Sequence, residues 1–346
     1  MMCSVTFVWC LFILSIVVRS DPVDYNIRGT IKPGWEFVRD LFRENFVQDR
    51  DLGASVAAYY QGSLAFELGG GWFDQSRTKP YDIDTLQLVF STSKGFVAAA
   101  VALAVQRGLL DYSALVTRYW PEYGQNGKEN TTVADIMSHR AGLPDISEPF
   151  EQFLNWTAMI RTLEQMAPLW PPGSAHGYHA LTYGWLAGEL IRRVDPKKRS
   201  LAEIDSFNEP RTHRAEIPAA NGIATAWSIA RLYSALNTDL DDGKYKRILN
   251  EDILKLATRS NTPEDEIDLV LEEKSSFGMG FSLFHDALSD FGPGIFGHGG
   301  FGGSIGFCVP AKNFSFAYVM NRLDISSAED YPRIAPMLKK IAEFLN

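Results

Sequence analysis

Apolar side chains recur at helical spacing early in the chain: Phe37, Val38, Leu41, Phe42 and Phe46 share one face, which predicts a helix over 35–46. The period then changes. Residues 55–60 and 63–68 read as two strands joined at Gln61-Gly62, and Gly69-Gly70-Gly71 is expected to break the second strand. An Ala- and Val-rich run over 95–110 predicts a helix buried on most sides. From 111 to 170, short helical patches alternate with loops. Further helices are predicted over 181–193, with Pro196 just beyond, and over 224–236. Residues 263–274 are strongly acidic and read as a solvated loop or helix. Alternation returns over 278–284, 303–309 and 314–320, and 334–345 closes the chain as a helix. Strands near both ends with helices between them predict an α+β fold. One antiparallel sheet is built from distant segments and flanked by helices, with a helical domain inserted at about 111–240.

Composition adds limits rather than identity. The 346 residues are 46% hydrophobic and 22% charged, which is ordinary for a globular chain able to bury a large core. A net charge of −9 repels phosphate backbones and counts against a nucleic-acid partner. Residues 5–18 form a 14-residue run without charge, short for a membrane span and suited to a signal-peptide core. Val18 and Ser20 are small enough for cleavage before Asp21, so 1–20 read as a signal peptide and the chain as secreted or lumenal. No Lys or Arg precedes the apolar run; an uncleaved membrane anchor, or a buried N-terminal element, is the alternative. Cleavage would leave Cys308 alone, so no internal disulfide is expected and a buried apolar role is. Sequons at Asn130, Asn155 and Asn313 are candidate glycosylation sites in a secreted chain.

Three motifs carry candidate chemistry. Ser91-Thr92-Ser93-Lys94 lies between an apolar run and a helical one. Positions i and i+3 share a helix face, so a hydroxyl and an amine would sit side by side at a positive helix end, as in an activated nucleophile. In the second motif a Pro172-Gly173 turn leads to Tyr178 just ahead of a helix; alone, such a tyrosine would be a core anchor. In the third, glycines surround His298 in Gly297-His298-Gly299-Gly300-Phe301-Gly302-Gly303-Ser304. They let a partner approach the backbone closely, and a His-bearing edge strand with free N–H groups suits an oxyanion site. Other signals fail: Gly292 to Gly297 match G-x-G-x-x-G without a following helix, and His176 and His179 lack further metal-ligand partners.

In this order, Ser91-x-x-Lys94, Tyr178 and His298-Gly299-Gly300 resemble the three boxes of the serine β-lactamase and penicillin-binding-protein superfamily, closest to the class C β-lactamase-related esterases. Three further stretches extend the likeness to about 30–198 and 206–322. They are Tyr119-Trp120-Pro121-Glu122, Thr132-Val133-Ala134-Asp135 with His139-Arg140-Ala141-Gly142-Leu143-Pro144, and Ile217-Pro218-Ala219-Ala220-Asn221-Gly222. The resemblance implies a β-lactamase/transpeptidase-like domain over 21–346. It implies hydrolysis of a small ester or amide through an acyl-enzyme, without cofactor or metal. Ser91 would be the nucleophile, and Lys94 and Tyr178 would handle its proton, with the general base open between them. His298, with Gly299 and Gly300, would stand in for the usual lysine and hold the substrate. The N–H groups of Ser91 and Phe301 would form the oxyanion hole.

Two departures matter. Ala180 stands where the tyrosine box often carries Asn, which together with His298 favours esters over β-lactams. After 194–200 the chain passes almost at once to 206–210, where the family usually continues for some dozens of residues. The helical part therefore reads as truncated near 200–206, a loss expected to expose apolar surface beside the cleft. A catalytically degenerate protein with a binding or scaffolding role is the alternative function. Substrate identity and oligomeric state are not legible in the sequence.

Overall fold

A computed structural model describes residues 23–196, 217–285, 287–324 and 332–346. The proposed signal peptide and the junction near 200–206 lie outside the described residues.

The architecture centres on a seven-stranded sheet in which every pairing is antiparallel. The N-terminal part of the chain supplies β1 (Arg28–Ile31), β2 (Gly53–Tyr60) and β3 (Ser63–Gly71). The C-terminal part supplies β6 (Ser282–Leu283), β7 (Phe296–Gly299), β8 (Ile305–Val309) and β9 (Phe314–Met320). The spatial order is β1-β3-β2-β9-β8-β7-β6, so the two halves join where β2 pairs with β9. This is the mixed fold predicted from strands at both ends of the sequence.

Alternation along β2 assigns its side chains to two cores. Ala54, Val56 and Ala58 face α1 (Phe37–Val47) and α9 (Ala335–Leu345), through Phe42, Phe46, Met337 and Ile341. Ala57 and Tyr59 face α2 (Ser93–Gln106) and α7 (Ala226–Asn237), through Ala98, Ala102, Ile229 and Tyr233. Helices thus cover both sheet faces, and β2 is buried at every residue but Tyr60.

The opposite side of α2 enters a third core. Val97 and Val101 pack with Trp120 and Ile136, and with Trp185 and Leu190 of α6 (Thr182–Val194). A helix wedged between two cores needs small apolar residues all round, which explains its Ala/Val run and the absence of a polar stripe. The irregular helical region predicted over 111–170 contains the short helices α3 (Val133–Met137), α4 (Phe150–Phe153) and α5 (Trp156–Gln165). Between α6 and β6 come β5 (Ile223–Ala224), which pairs with β4 (Gln87–Leu88), and α8 (Glu251–Thr258).

Three expectations need correction. Gly69-Gly70-Gly71 does not end β3, which runs through Gly71 in register with Gly53. A Cβ on Gly70 would lie 2.9 Å from Ile27 and 3.2 Å from Phe46, so glycine is there to admit neighbours and not to break the strand. The strand predicted over 278–284 shrinks to Ser282–Leu283. The His298 strand is not the sheet edge: β6 lies outside it, although it pairs only with Phe296 and Gly297 and leaves His298 uncovered on that side.

Candidate active site

Three elements converge on Ser91. The chain leaves β4 and makes one 3-10 turn, Phe90–Thr92, before α2 begins at Ser93. Phe90 carries φ 45°, a conformation uncommon outside glycine, which turns the chain sharply just before Ser91. Ser91 is half-buried, and one turn on, Lys94 is fully buried. The Lys94 Nζ lies 3.1 Å from Ser91 Oγ. It also donates to the carbonyl of Ala180 at 2.7 Å and of Ala219 at 2.9 Å. Burial holds its amine well below the usual lysine range.

Tyr178 lies just ahead of α6, with its ring centre 4.8 Å from Lys94 Nζ. Burial raises its phenol well above the ordinary tyrosine range, a hydrogen bond with Ser91 offsets part of that, and Asp268 adds to it. The phenol is therefore neutral at physiological pH. Its ring stacks on Phe277 at 6.0 Å and lies 6.2 Å from the ring of His298.

The third element is β7 and the glycine turn after it. His298 is buried, and its Nδ1 donates to the carbonyl of Gly299 at 2.7 Å. Burial first, and then the nearby Lys94, push its pKa down to about 3 against the opposing pull of that carbonyl, so the ring is neutral. Nε2 is then an acceptor, and it has no hydrogen-bond partner among the described residues. The cationic lysine of the usual box is thus replaced by a neutral imidazole. Gly300 sits against the turn that carries Ser91: a Cβ there would lie 2.2 Å from the carbonyl oxygen of Val89 and 2.9 Å from Thr92 Oγ1. Phe301 is exposed, and its ring meets Phe90 edge-on at 5.7 Å.

The structure thus brings Ser91, Lys94, Tyr178, His298, Gly300 and Phe301 into one neighbourhood, with Gly299 in β7 paired to Ile305. Asn130, Asn155 and Asn313 lie exposed on other parts of the surface. No cluster that could hold a metal ion occurs among the described residues.

Comparison with known proteins decides the family. A family model described as Beta-lactamase matches residues 38–206 and 196–337. The chain belongs to the beta-lactamase family. The two matched pieces meet at the junction where the sequence pattern breaks. Within the family, the chain is 31% identical over 365 aligned positions to the "Esterase/beta-lactamase LipL" of Mycobacterium tuberculosis, covering 86% of this chain and 83% of that protein. It is similar to a crystal structure of a family VIII carboxylesterase, at 28% identity and TM-score 0.82, over 92% of this chain and 100% of that one. A penicillin-binding-protein homologue from Caulobacter crescentus is 33% identical with TM-score 0.81, over 92% of this chain and 99% of that one.

Sequence reasoning missed one part of this site. The acidic stretch 263–274 is not uniformly solvated: Asp268 is fully buried, and its Oδ1 accepts the backbone N–H of Tyr178 at 3.0 Å. The available signal was its setting. Asp268 stands alone in the apolar run Ile267 to Leu271, whereas the acids on either side of that run cluster together.

Proposed function

We propose that this beta-lactamase family member is a serine hydrolase that cleaves a small ester through an acyl-enzyme on Ser91. The observation that carries the reading is the contact between Ser91 Oγ and a buried lysine amine that has no carboxylate partner among the described residues.

A neutral amine has two N–H bonds and one lone pair. In Lys94 the two N–H groups are directed at Ala180 and Ala219, which leaves the lone pair for the hydroxyl proton of Ser91. Oγ then attacks the ester carbonyl, and the proton moves to Nζ. The carbonyl oxygen becomes an oxyanion facing the N–H groups of Ser91 and Phe301; a lost donor of this kind typically costs about 3 kcal/mol. Collapse breaks the C–O bond, and the alkoxide leaves with a proton passed from Lys94 through Tyr178. Water, deprotonated by the same pair, releases the acid and restores Ser91. The assignment of Lys94 as base and Tyr178 as relay rests on burial raising the pKa of the phenol while lowering that of the amine.

Esters are favoured over β-lactams by two features. His298 offers no positive charge for a substrate carboxylate, and the Ala180 side chain offers no amide. The similar structure named a family VIII carboxylesterase supports the same choice, while LipL is named both esterase and beta-lactamase. Secretion is proposed on the uncharged run at 5–18, and the exposure of all three sequon asparagines is compatible with it. A segment missing near 200–206 is proposed on the same footing: an aligned length of 365 exceeds the 346 residues of this chain, so the relative carries residues absent here.

The test is intact mass of the 21–346 chain after incubation with a fluorophosphonate, beside Ser91→Ala. The expected result is one adduct on the wild type, none on the variant, and loss of ester turnover with an unchanged far-UV CD spectrum. A folded wild type without adduct or turnover would replace this reading with that of a degenerate family member having a binding role.

A further inference from the structure

Tyr178 lies in irregular backbone ahead of α6, where no helix or strand supplies acceptors for its amide. Three successive N–H groups there are nonetheless each held. Gly177 donates to the carbonyl of His139 at 3.0 Å, and His179 donates to His139 Nδ1 at 3.1 Å. Between them, Tyr178 donates to Asp268 Oδ1 at 3.0 Å. The same oxygen accepts from Val270 and Leu271, each at 2.9 Å, and Oδ2 accepts from Ser275 Oγ at 3.0 Å. A fully buried carboxylate is costly unless its lone pairs are occupied, and here they are.

The strand of loop carrying Asp268 is itself stapled to the Tyr178 segment. Leu269 donates to the carbonyl of His176 at 3.0 Å. His176 bridges Ser275 and Glu266, and Arg140 links Glu266 at 2.5 Å to the carbonyl of Gly173 at 2.6 Å. Beyond Ser275, Phe277 stacks on the Tyr178 ring. One loop therefore holds both the amide and the ring of Tyr178.

We propose that Asp268 is a positioning residue for the reaction at Ser91, fixing the Tyr178 backbone and so the place where the phenol meets Ser91 and Lys94. The inference rests on the reading of Ser91 as nucleophile. A displacement of about 1 Å in a reacting group can cost 100-fold in rate, which is the scale at stake.

The test compares Asp268→Ala with Asp268→Asn in the full chain, reading kcat and KM for a p-nitrophenyl ester well below the unfolding midpoint of each. The amide oxygen of Asn can still accept from the three N–H groups; Ala cannot. Asp268→Ala is expected to lower kcat about 10- to 100-fold, with KM changed less than about threefold, and Asp268→Asn to restore most of kcat. A folded Asp268→Ala with wild-type kcat overturns the proposal, as does an Asn variant no better than Ala. Should the alanine variant not fold, Ser275→Ala replaces it; a lowered kcat at unchanged KM supports the proposal and an unchanged kcat overturns it. Ser91→Ala is run alongside. If it keeps turnover, the nucleophile reading has failed, whatever Asp268 does.

Discussion

Lys94 Nζ stands 3.1 Å from Ser91 Oγ, and the only other groups it hydrogen-bonds among the described residues are two carbonyls. A surface Ser-x-x-Lys pair would present an ammonium to water. Burial in α2 favours the uncharged amine instead, which is the form the proposed base at Ser91 requires. Function here depends on where the helix is packed, between two cores, and not on the tetrapeptide alone.

The first prediction concerns that amine. Protonation removes the lone pair, and the pKa is lowered in the fold, so kcat/KM rises with pH to a plateau reached well below the ordinary lysine value of 10.5. Lys94→Met removes the base and Lys94→Arg makes the position permanently cationic. Both are expected to lower kcat by about 100- to 10,000-fold. Initial rates from pH 5 to 10 for the three proteins check this; a methionine variant with wild-type kcat would remove Lys94 from the mechanism.

His298 yields the opposite pH signature if its charge matters. An active-site imidazolium with an ordinary pKa would lose its proton near pH 6.5, and activity would fall as pH rises through that value. With its pKa pushed down to about 3, the ring is neutral across the assay range and contributes no such limb. His298→Gln, also neutral, is therefore expected to leave the shape of the pH profile unchanged. A descending limb near pH 6.5 in the wild type, absent from the glutamine variant, would show a cationic histidine instead.

Much of this was legible in the sequence because the signals were local. The period-2 runs over 55–60 and 314–320 lie within the paired central strands β2 and β9, and Gln61-Gly62 forms the hairpin turn with both φ positive. The order of the three boxes was enough to indicate the family. What failed was spatial. Gly69 to Gly71 read as a stop, since the sequence does not show that Phe42, Phe46 and Ile27 come to occupy the missing side-chain space. Asp268 read as one more solvated acid, because its partners, Tyr178 and Ser275, are not adjacent to it in sequence. His298 read as a stand-in for the usual lysine, and the sequence leaves its charge open, because the lowering of its pKa comes from burial beside Lys94.

Close approach at Gly300 can be tested by one methyl group. A Cβ there would overlap the Val89 carbonyl at 2.2 Å, which is backbone and cannot swing aside. Gly300→Ala must push the glycine turn away from the nucleophile turn and carry Phe301 with it. The expected result is a kcat loss of about 100-fold, the scale for a displaced oxyanion donor, and fluorophosphonate labelling of Ser91 slowed in proportion. Labelling at the wild-type rate would show that this turn does not shape the site.

A last prediction concerns stability and a buried carboxyl outside the candidate site. Asp51 is buried between the end of α1 and β2, accepts a hydrogen bond from Tyr318, and lies 3.1 Å from Arg333 Nε. Arg333 in turn donates to the carbonyl of Gly302 at 3.1 Å, which ties this network to the glycine turn. Two influences oppose each other at the carboxyl. Desolvation raises its pKa, while Arg333, Tyr318 and Arg322 lower it and Asp324 raises it slightly; desolvation dominates, and the value is raised from 3.8 to about 6. A raised folded pKa means that the folded state holds the proton more tightly than the unfolded one. Its stabilising contribution is complete below pH 3.8 and is lost as pH rises through about 6. Asp51→Asn mimics the protonated form and escapes that loss. Relative to wild type, the variant should therefore gain stability between pH 4 and pH 7 by up to about 3 kcal/mol, the equivalent of the shift at 1.36 kcal/mol per unit. Urea unfolding of both proteins at the two pH values measures the difference. A gap that moves the other way would mean that the Arg333 pair outweighs desolvation, and that Asp51 stays ionised down to the ordinary carboxylate range.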